Sequence, residues 1–146
     1  MKLVLDTGVL MLILKGDPVV KDVIDALRRG DKAYTTAINM AELYYKTEEK
    51  LGRQVAITWF NRLIRLRNLV VFPVDTELAR RAGELKAKYR GNLSLVDAVI
   101  IALAEEQDGR LLTTDSRLSV VDEVTIRVYE VARLSLIHIS EPTRPY

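Results

Sequence analysis

The chain has 146 residues, 49% of them hydrophobic and 29% charged, the balance of one globular domain with its own core rather than of a disordered chain. It has no cysteine and a single histidine, His138, which excludes disulfides, thiolate nucleophiles and metal–thiolate centres. Twenty-two Lys and Arg against twenty Asp and Glu leave a formal charge of +2, compatible with a nucleic-acid partner only if the acids are gathered in one place.

Lys2-Leu3-Val4-Leu5 reads as a short apolar strand, closed by Asp6-Thr7-Gly8. Asp6 interrupts the apolar N-terminal run too early for a signal peptide, and the run from Val9 to Leu14 is far too short for a bilayer, so a cytoplasmic protein is expected, with no membrane partner. A helix is expected to about Leu14, stopped by Gly16-Asp17-Pro18. Asp17 and Pro18 then serve as N-cap and first residue of a second helix, whose Val19, Val20, Val23, Ile24 and Leu27 keep helical spacing as far as Gly30.

Ala33 to Thr36 is the next strand, followed by helices from Ala37 to Leu51 and from about Gln54 to Arg67, separated at Gly52. Val70 to Phe72 makes a third strand before Pro73. Asp75 to Arg90 places Leu78, Ala79, Ala82, Leu85 and Tyr89 on one face of a helix. Gly91-Asn92 breaks it, Ser94 caps an apolar helix from Leu95 to Gln107, and Asp108-Gly109 turns into the strand Arg110 to Thr113. A short turn or helix leads to a last strand, Thr125 to Tyr129. Strands alternating with long helices predict an α/β fold, a three-layer α/β/α domain around a mainly parallel sheet.

The segment Leu134 to Tyr146, LSLIHISEPTRPY, breaks this character and carries two of the four prolines and the sole histidine. LSLIHISEPTR resembles the translation of a transposon-based sequencing adapter, so residues 134–146 are read as a non-native tail and residues 1–133 as the domain. An ordinary C-terminal extension is the other reading. In both cases the tail is set aside from fold reasoning.

Ligand sites in open parallel sheets gather outside the carboxyl ends of the strands. Asp6 follows the first strand, Glu42 lies early in the helix after AYTT, Asp97 is in the first turn of the helix opened by Ser94, and Asp115 follows RLLTT. Four carboxylates thus come from four strand–helix junctions and are expected to converge on one rim. Each also has a plain structural role open to it. Asp6 can cap a helix, Asp97 suits the third position of one, and Asp115 can form an Asx turn. The flanks favour more than that, because a charged carboxylate amid LVDAVIIALA is costly without a compensating cation. With no His or Cys at hand, a hard divalent ion, Mg²⁺ or Mn²⁺, is the economical partner.

Asp6 in LVLDTGVL, Glu42 in AINMAELYY, Asp97 in LSLVDAVIIALA and Asp115 in LLTTDSRL resemble, in order and context, the acidic positions of PIN-domain ribonucleases. The likeness is greatest to the VapC-type toxins of VapBC toxin–antitoxin pairs. It extends over about residues 1 to 131. The resemblance implies a PIN-like fold and a metal-dependent endoribonuclease acting as a toxin. Asp6, Glu42, Asp97 and Asp115 would be both its catalytic residues and its ligands to Mg²⁺ or Mn²⁺. Cleavage of the RNA substrate by metal-activated water would leave a 5′-phosphate and a 3′-hydroxyl. A homodimer and a cognate VapB-type antitoxin are implied as well. The chain departs from many members at Gly8, where they carry Asn or Ser. Thr114, before the fourth acid, and Ser94 are read as turn or helix caps.

Cations that could grip RNA are Arg28, Arg29 and Lys32, then Arg62, Arg65 and Arg67, then Arg80, Arg81, Lys86, Lys88 and Arg90, although outward helix charges mostly serve solubility. Tyr44 and Tyr45 could stack a base or pack in a core or dimer contact, and Trp59 and Phe60 could pack inside or receive an antitoxin segment. A P-loop is excluded, since no GxxxxGK[ST] occurs. Two alternatives remain. One is a metal-dependent phosphohydrolase of another α/β family, although an aspartyl-nucleophile enzyme would usually carry a second acid where Gly8 stands. The other is a degenerate PIN module that binds RNA or a partner without cleaving.

Overall fold

A computed structural model describes residues 2–131 of the chain; the tail singled out above lies outside them. Strand β1 (Leu3–Leu5) leads into α1 (Thr7–Lys15), which ends on Gly16 in the left-handed conformation, φ 70°. A 3-10 turn over Pro18–Val20 precedes α2 (Lys21–Arg28), and β2 (Ala33–Thr36) follows. Helices α3 (Ala37–Leu51) and α4 (Arg53–Arg65) form a hairpin around Gly52, before β3 (Leu69–Phe72). Next come α5 (Thr76–Tyr89), α6 (Leu95–Glu106), β4 (Arg110–Thr113), a 3-10 turn over Ser116–Val120, and β5 (Thr125–Val128).

The five strands form one sheet in the order β3-β2-β1-β4-β5, with every neighbouring pair parallel. Alternation along the strands divides the core into two. Val4 and Leu111 face a cluster built on α5 and α6, while Leu5, Ala33 and Leu112 face a cluster built on α1 to α4. The expected three-layer α/β/α domain is therefore present, with a wholly parallel sheet.

Most boundaries agree with the sequence reading to within one residue, and two differ by more. Asp17 and Pro18 open a 3-10 turn rather than α2 itself, with Asp17 accepting from the Val19 N–H at 2.9 Å. Helix α4 stops at Arg65, because Leu66 turns extended (φ −71°, ψ 111°) to bring the chain back to the sheet.

The chain runs outward from β1 through β2 to β3, then returns to the other side of β1 for β4 and β5. The strand order therefore reverses between β1 and β4, the place in an open parallel sheet where loops diverge and leave a crevice. Asp6 and Asp115 follow those two strands.

Candidate active site

Asp6, Glu42, Asp97 and Asp115 line one cavity of about 300 Å³ beyond the carboxyl ends of the strands, together with Thr7, Gly8, Asn39, Lys46, Ser94, Thr114 and Arg117. The four acids expected to meet at one rim do so.

Asp6 ends β1 and caps α1, its Oδ1 accepting from the Val9 N–H at 3.3 Å, while its other oxygen accepts the hydroxyl of Thr113. It is 7% exposed. Burial pushes its carboxyl up to about 6; the bonds from Thr113 and Val9 oppose that rise, and the charge of Asp97 adds to it. Asp97 is the third residue of α6 and completes a capping box: its N–H donates to Ser94 Oγ at 3.0 Å, and its Oδ2 accepts from the Ser94 N–H at 3.1 Å.

Glu42 sits on α3, which Thr36 caps, and is half-buried with Lys46 Nζ 3.4 Å from its Oε2. Asp115 caps the 3-10 turn after β4 and receives Arg117 through Nη2 at 2.7 Å and through Nε. That guanidinium, foremost through its hydrogen bonds, holds the Asp115 carboxyl below the ordinary value of 3.8.

Beneath the acids, a buried polar network locks the strand ends together. Thr35 donates to the Leu5 carbonyl at 2.8 Å, Thr36 donates to Asn39 Oδ1 at 2.5 Å, and Asn39 Nδ2 donates to Thr7 Oγ1 at 3.0 Å. These residues, with Lys46, Thr113 and Arg117, escaped the sequence reading; Thr7, Thr35, Asn39 and Thr113 have partners on other elements, far away in sequence. The others left local signals: Thr36 stands at the cap position three residues before Asn39, Lys46 follows Glu42 at i,i+4, and Arg117 lies two residues after Asp115.

The acids share a cavity without closing on one point: among the described residues, no three of His, Cys, Asp and Glu stand, as placed, where they could hold one ion. The reason is local, since Glu42 is drawn to Lys46, Asp115 to Arg117 and Asp97 to its own helix cap. The donor set still fits a hard divalent ion in kind. It is oxygen only, and the buried Asp6 carboxylate, repelled by Asp97, stands to gain from a cation.

Other candidates sort differently. Ser94 caps α6 as expected, but the hydroxyl that serves the turn at Asp115 is that of Thr113, which accepts the Asp115 N–H at 3.0 Å; Thr114 is no cap. Tyr44 packs edge-on against Phe60 and donates to Glu48 at 2.7 Å, so it belongs to the α3–α4 hairpin, whereas Tyr45 is 49% exposed. Trp59 and Phe60 pack against the core cluster on the α1–α4 side. On α5, Arg80 and Arg81 pair with Glu77, Glu84 and Glu105, and Lys88 pairs with Glu123. Arg28, Arg62 and Arg67 instead rim a separate groove of about 700 Å³ floored by Ile13, Ile24, Leu27 and Leu66. No helix among the described residues is long and apolar enough to cross a membrane.

A five-stranded parallel α/β/α domain with four acids at its switch point is the arrangement of a PIN-type protein. Residues 3–124 match the model of the PIN domain, and the chain belongs to that family. No curated protein sequence matches it. Among solved structures, VapBC2 from Rickettsia felis bound to a promoter DNA fragment aligns with a TM-score of 0.72 at 16% identity, covering 89% of this chain and 100% of that one. DNA-bound VapBC from Salmonella typhimurium gives 0.71 at 17% identity, covering 88% and 98%. VapC20 from Mycobacterium tuberculosis, described as a sarcin-ricin loop cleaving toxin, gives 0.61 at 18% identity, covering 75% and 86%. Family membership leaves the phosphohydrolase of another α/β family without support.

Proposed function

We propose that the protein is a metal-dependent endoribonuclease, the VapC-type toxin of a toxin–antitoxin pair, acting on RNA in the cytoplasm. The observation that carries this reading is the convergence of Asp6, Glu42, Asp97 and Asp115 on one cavity at the switch point of a PIN fold. The VapC20 likeness supports the choice of RNA as substrate.

Asp6, Glu42, Asp97 and Asp115 would hold one or two divalent ions, Mg²⁺ or Mn²⁺, which supply an activated water and stabilise charge developing on the phosphate oxygens. Asp6, fixed by Thr113 and the Val9 N–H, presents its carboxylate in one orientation. Asp97 keeps Oδ2 on the Ser94 N–H, leaving Oδ1 for the cavity. Lys46 and Arg117 balance the outer acids and limit repulsion of an incoming phosphodiester. Water adds to phosphorus, the bond to the 3′-oxygen breaks, and that oxygen takes a proton, leaving a 5′-phosphate and a 3′-hydroxyl.

The test is RNA cleavage by purified protein in Mg²⁺ or Mn²⁺, with Asp6→Asn and Asp97→Asn alongside. Both variants are expected to be inactive. The amide oxygen that Asp97→Asn introduces can still accept from the Ser94 N–H, so the loss of activity would not come from an unmade helix cap. Cleavage retained by Asp97→Asn in metal overturns the assignment, and a wild type that binds RNA without cleaving favours the degenerate module.

The VapBC likenesses support a VapB-type antitoxin as partner. The 700 Å³ groove, apolar in its floor and rimmed by Lys15, Arg28, Arg62 and Arg67, fits an apolar segment flanked by acids. A small DNA-binding protein encoded next to this chain would be its expected source. A homodimer completes the reading, and light scattering on the purified chain tests it.

A further inference from the structure

We propose that Thr114 is the wall residue of the acid cavity that contacts the substrate, donating its hydroxyl to a non-bridging phosphate oxygen of the RNA, and that position 8 is glycine to make room for it. The proposal rests on the nuclease reading and adds to it the neutral group that receives the strand.

Gly8 is the second residue of α1, inside a helical first turn where glycine is unfavourable relative to alanine. Its φ is not in the left-handed region, so the backbone itself does not ask for glycine. What asks for it is Thr114. A Cβ at position 8 would meet Thr114 Oγ1 well inside contact distance, and Thr114 Cβ and Cγ2 at 3.2 Å each. All three nearest atoms belong to that one side chain. The Thr114 side chain thus occupies the space beside α1 that a residue-8 side chain would take.

The cavity wall carries three hydroxyls. The oxygens of Thr7 and Ser94 are each fixed by a bond they accept, from Asn39 Nδ2 and from the Asp97 N–H, although those bonds do not use their own O–H groups. Thr114 alone makes no hydrogen bond among the described residues, although it is half-buried beside Asp115. Lys46 and Arg117, the cations of the wall, are already on Glu42 and Asp115. A phosphodiester entering between acids needs a donor that no acid holds, and a neutral hydroxyl meets that need without drawing a carboxylate to itself. The geometry points to a phosphate oxygen as its acceptor.

The experiment measures binding of a labelled single-stranded RNA of mixed sequence to the full chain in chelator, where no cleavage is expected, with a DNA strand of the same sequence in parallel. Thr114→Ala should weaken binding of both strands by about tenfold, and Thr114→Ser should restore it. Gly8→Ala, with Thr114 intact, should displace the side chain and weaken binding similarly. The double variant Gly8→Ser/Thr114→Gly carries the hydroxyl across the contact and should recover most of the affinity; thermal melting confirms that each variant is folded. Wild-type affinity in Thr114→Ala overturns the proposal, and a loss confined to RNA overturns the phosphate in favour of the 2′-hydroxyl. Wild-type cleavage in Mn²⁺ is scored separately. Binding that depends on Thr114 in a protein that never cleaves supports the hydroxyl contact while overturning the nuclease reading.

Discussion

The hydroxyl of Thr113, at the end of β4, donates to the Asp6 carboxylate at the end of β1, and the same oxygen accepts the N–H of Asp115 at 3.0 Å. One buried threonine thereby fixes the side chain of the first acid and the backbone of the fourth. Thr113→Val keeps the shape and removes both bonds. It should lower stability by roughly 1–3 kcal/mol, read by chemical denaturation. A variant as stable as wild type would show that the threonine tie carries little energy.

Asp6 itself should be a source of instability. Its carboxyl is raised by burial from 3.8 to about 6, so the stabilising, protonated form is fully present below 3.8 and is lost as pH rises through about 6. In chelator, Asp6→Asn should match wild type near pH 4 and exceed it at pH 8 by up to roughly 3 kcal/mol. Denaturation at the two pH values checks this, and a difference that does not grow with pH would contradict it.

Arg117 neutralises an acid that the proposed ion needs. Arg117→Gln should free Asp115, make the cavity more negative, and tighten Mn²⁺ binding severalfold by calorimetry. Equal or weaker binding would remove Asp115 from the ligand set.

Far from the cavity, Glu123 ties the segment before β5 to α5 through Lys88 Nζ at 2.7 Å and Tyr89 Oη at 2.6 Å. Burial pushes its carboxyl up, but those bonds and its own backbone N–H outweigh burial and hold it at about 2, below the ordinary 4.5. Its stabilisation is therefore complete above 4.5 and lost as pH falls through about 2. Glu123→Gln should cost roughly 2 kcal/mol at pH 7 and flatten the acid limb of a stability–pH curve between those values.

Reversing Arg62 and Arg67 to Glu changes the rim of the 700 Å³ groove without touching its floor. The double variant should fold, keep the RNA cleavage proposed for wild type, and bind the proposed VapB-type antitoxin at least about tenfold more weakly in a pull-down titration. Undiminished binding would place the antitoxin elsewhere.

Much of this architecture was readable from the chain because it is locally encoded. The apolar run closed by Asp6 marked β1, the Asp108-Gly109 turn marked β4, Ser94 and Asp97 marked the start of α6, and four acids at strand–helix junctions marked the rim. Boundaries that depend on tertiary return were not readable: nothing in Leu66 says that α4 stops one residue before it. The supports of the site were hidden for the same reason. That Thr113 and not Thr114 serves the turn depends on which residue of β4 faces Asp6, a matter of register between strands more than a hundred residues apart. The pairing of Arg81 with Glu105 on α6 and of Lys88 with Glu123 before β5 also lies beyond sequence, whereas the pairs of Arg80 and Arg81 with Glu77 and Glu84 follow i,i+3 and i,i+4 spacing. Together they show that the small net charge hides local neutralisation on that helix.

The reversal of strand order between β1 and β4 also governs when the site can exist. During synthesis Asp6 and Glu42 emerge early, but β1 lacks its β4 neighbour and Asp6 lacks Thr113 until residues 110–115 have left the ribosome and closed a loop of about a hundred residues, a slow step in chain entropy. A half-made chain therefore cannot carry the assembled acids, and any activity they confer begins only once residues 110–115 have joined β1.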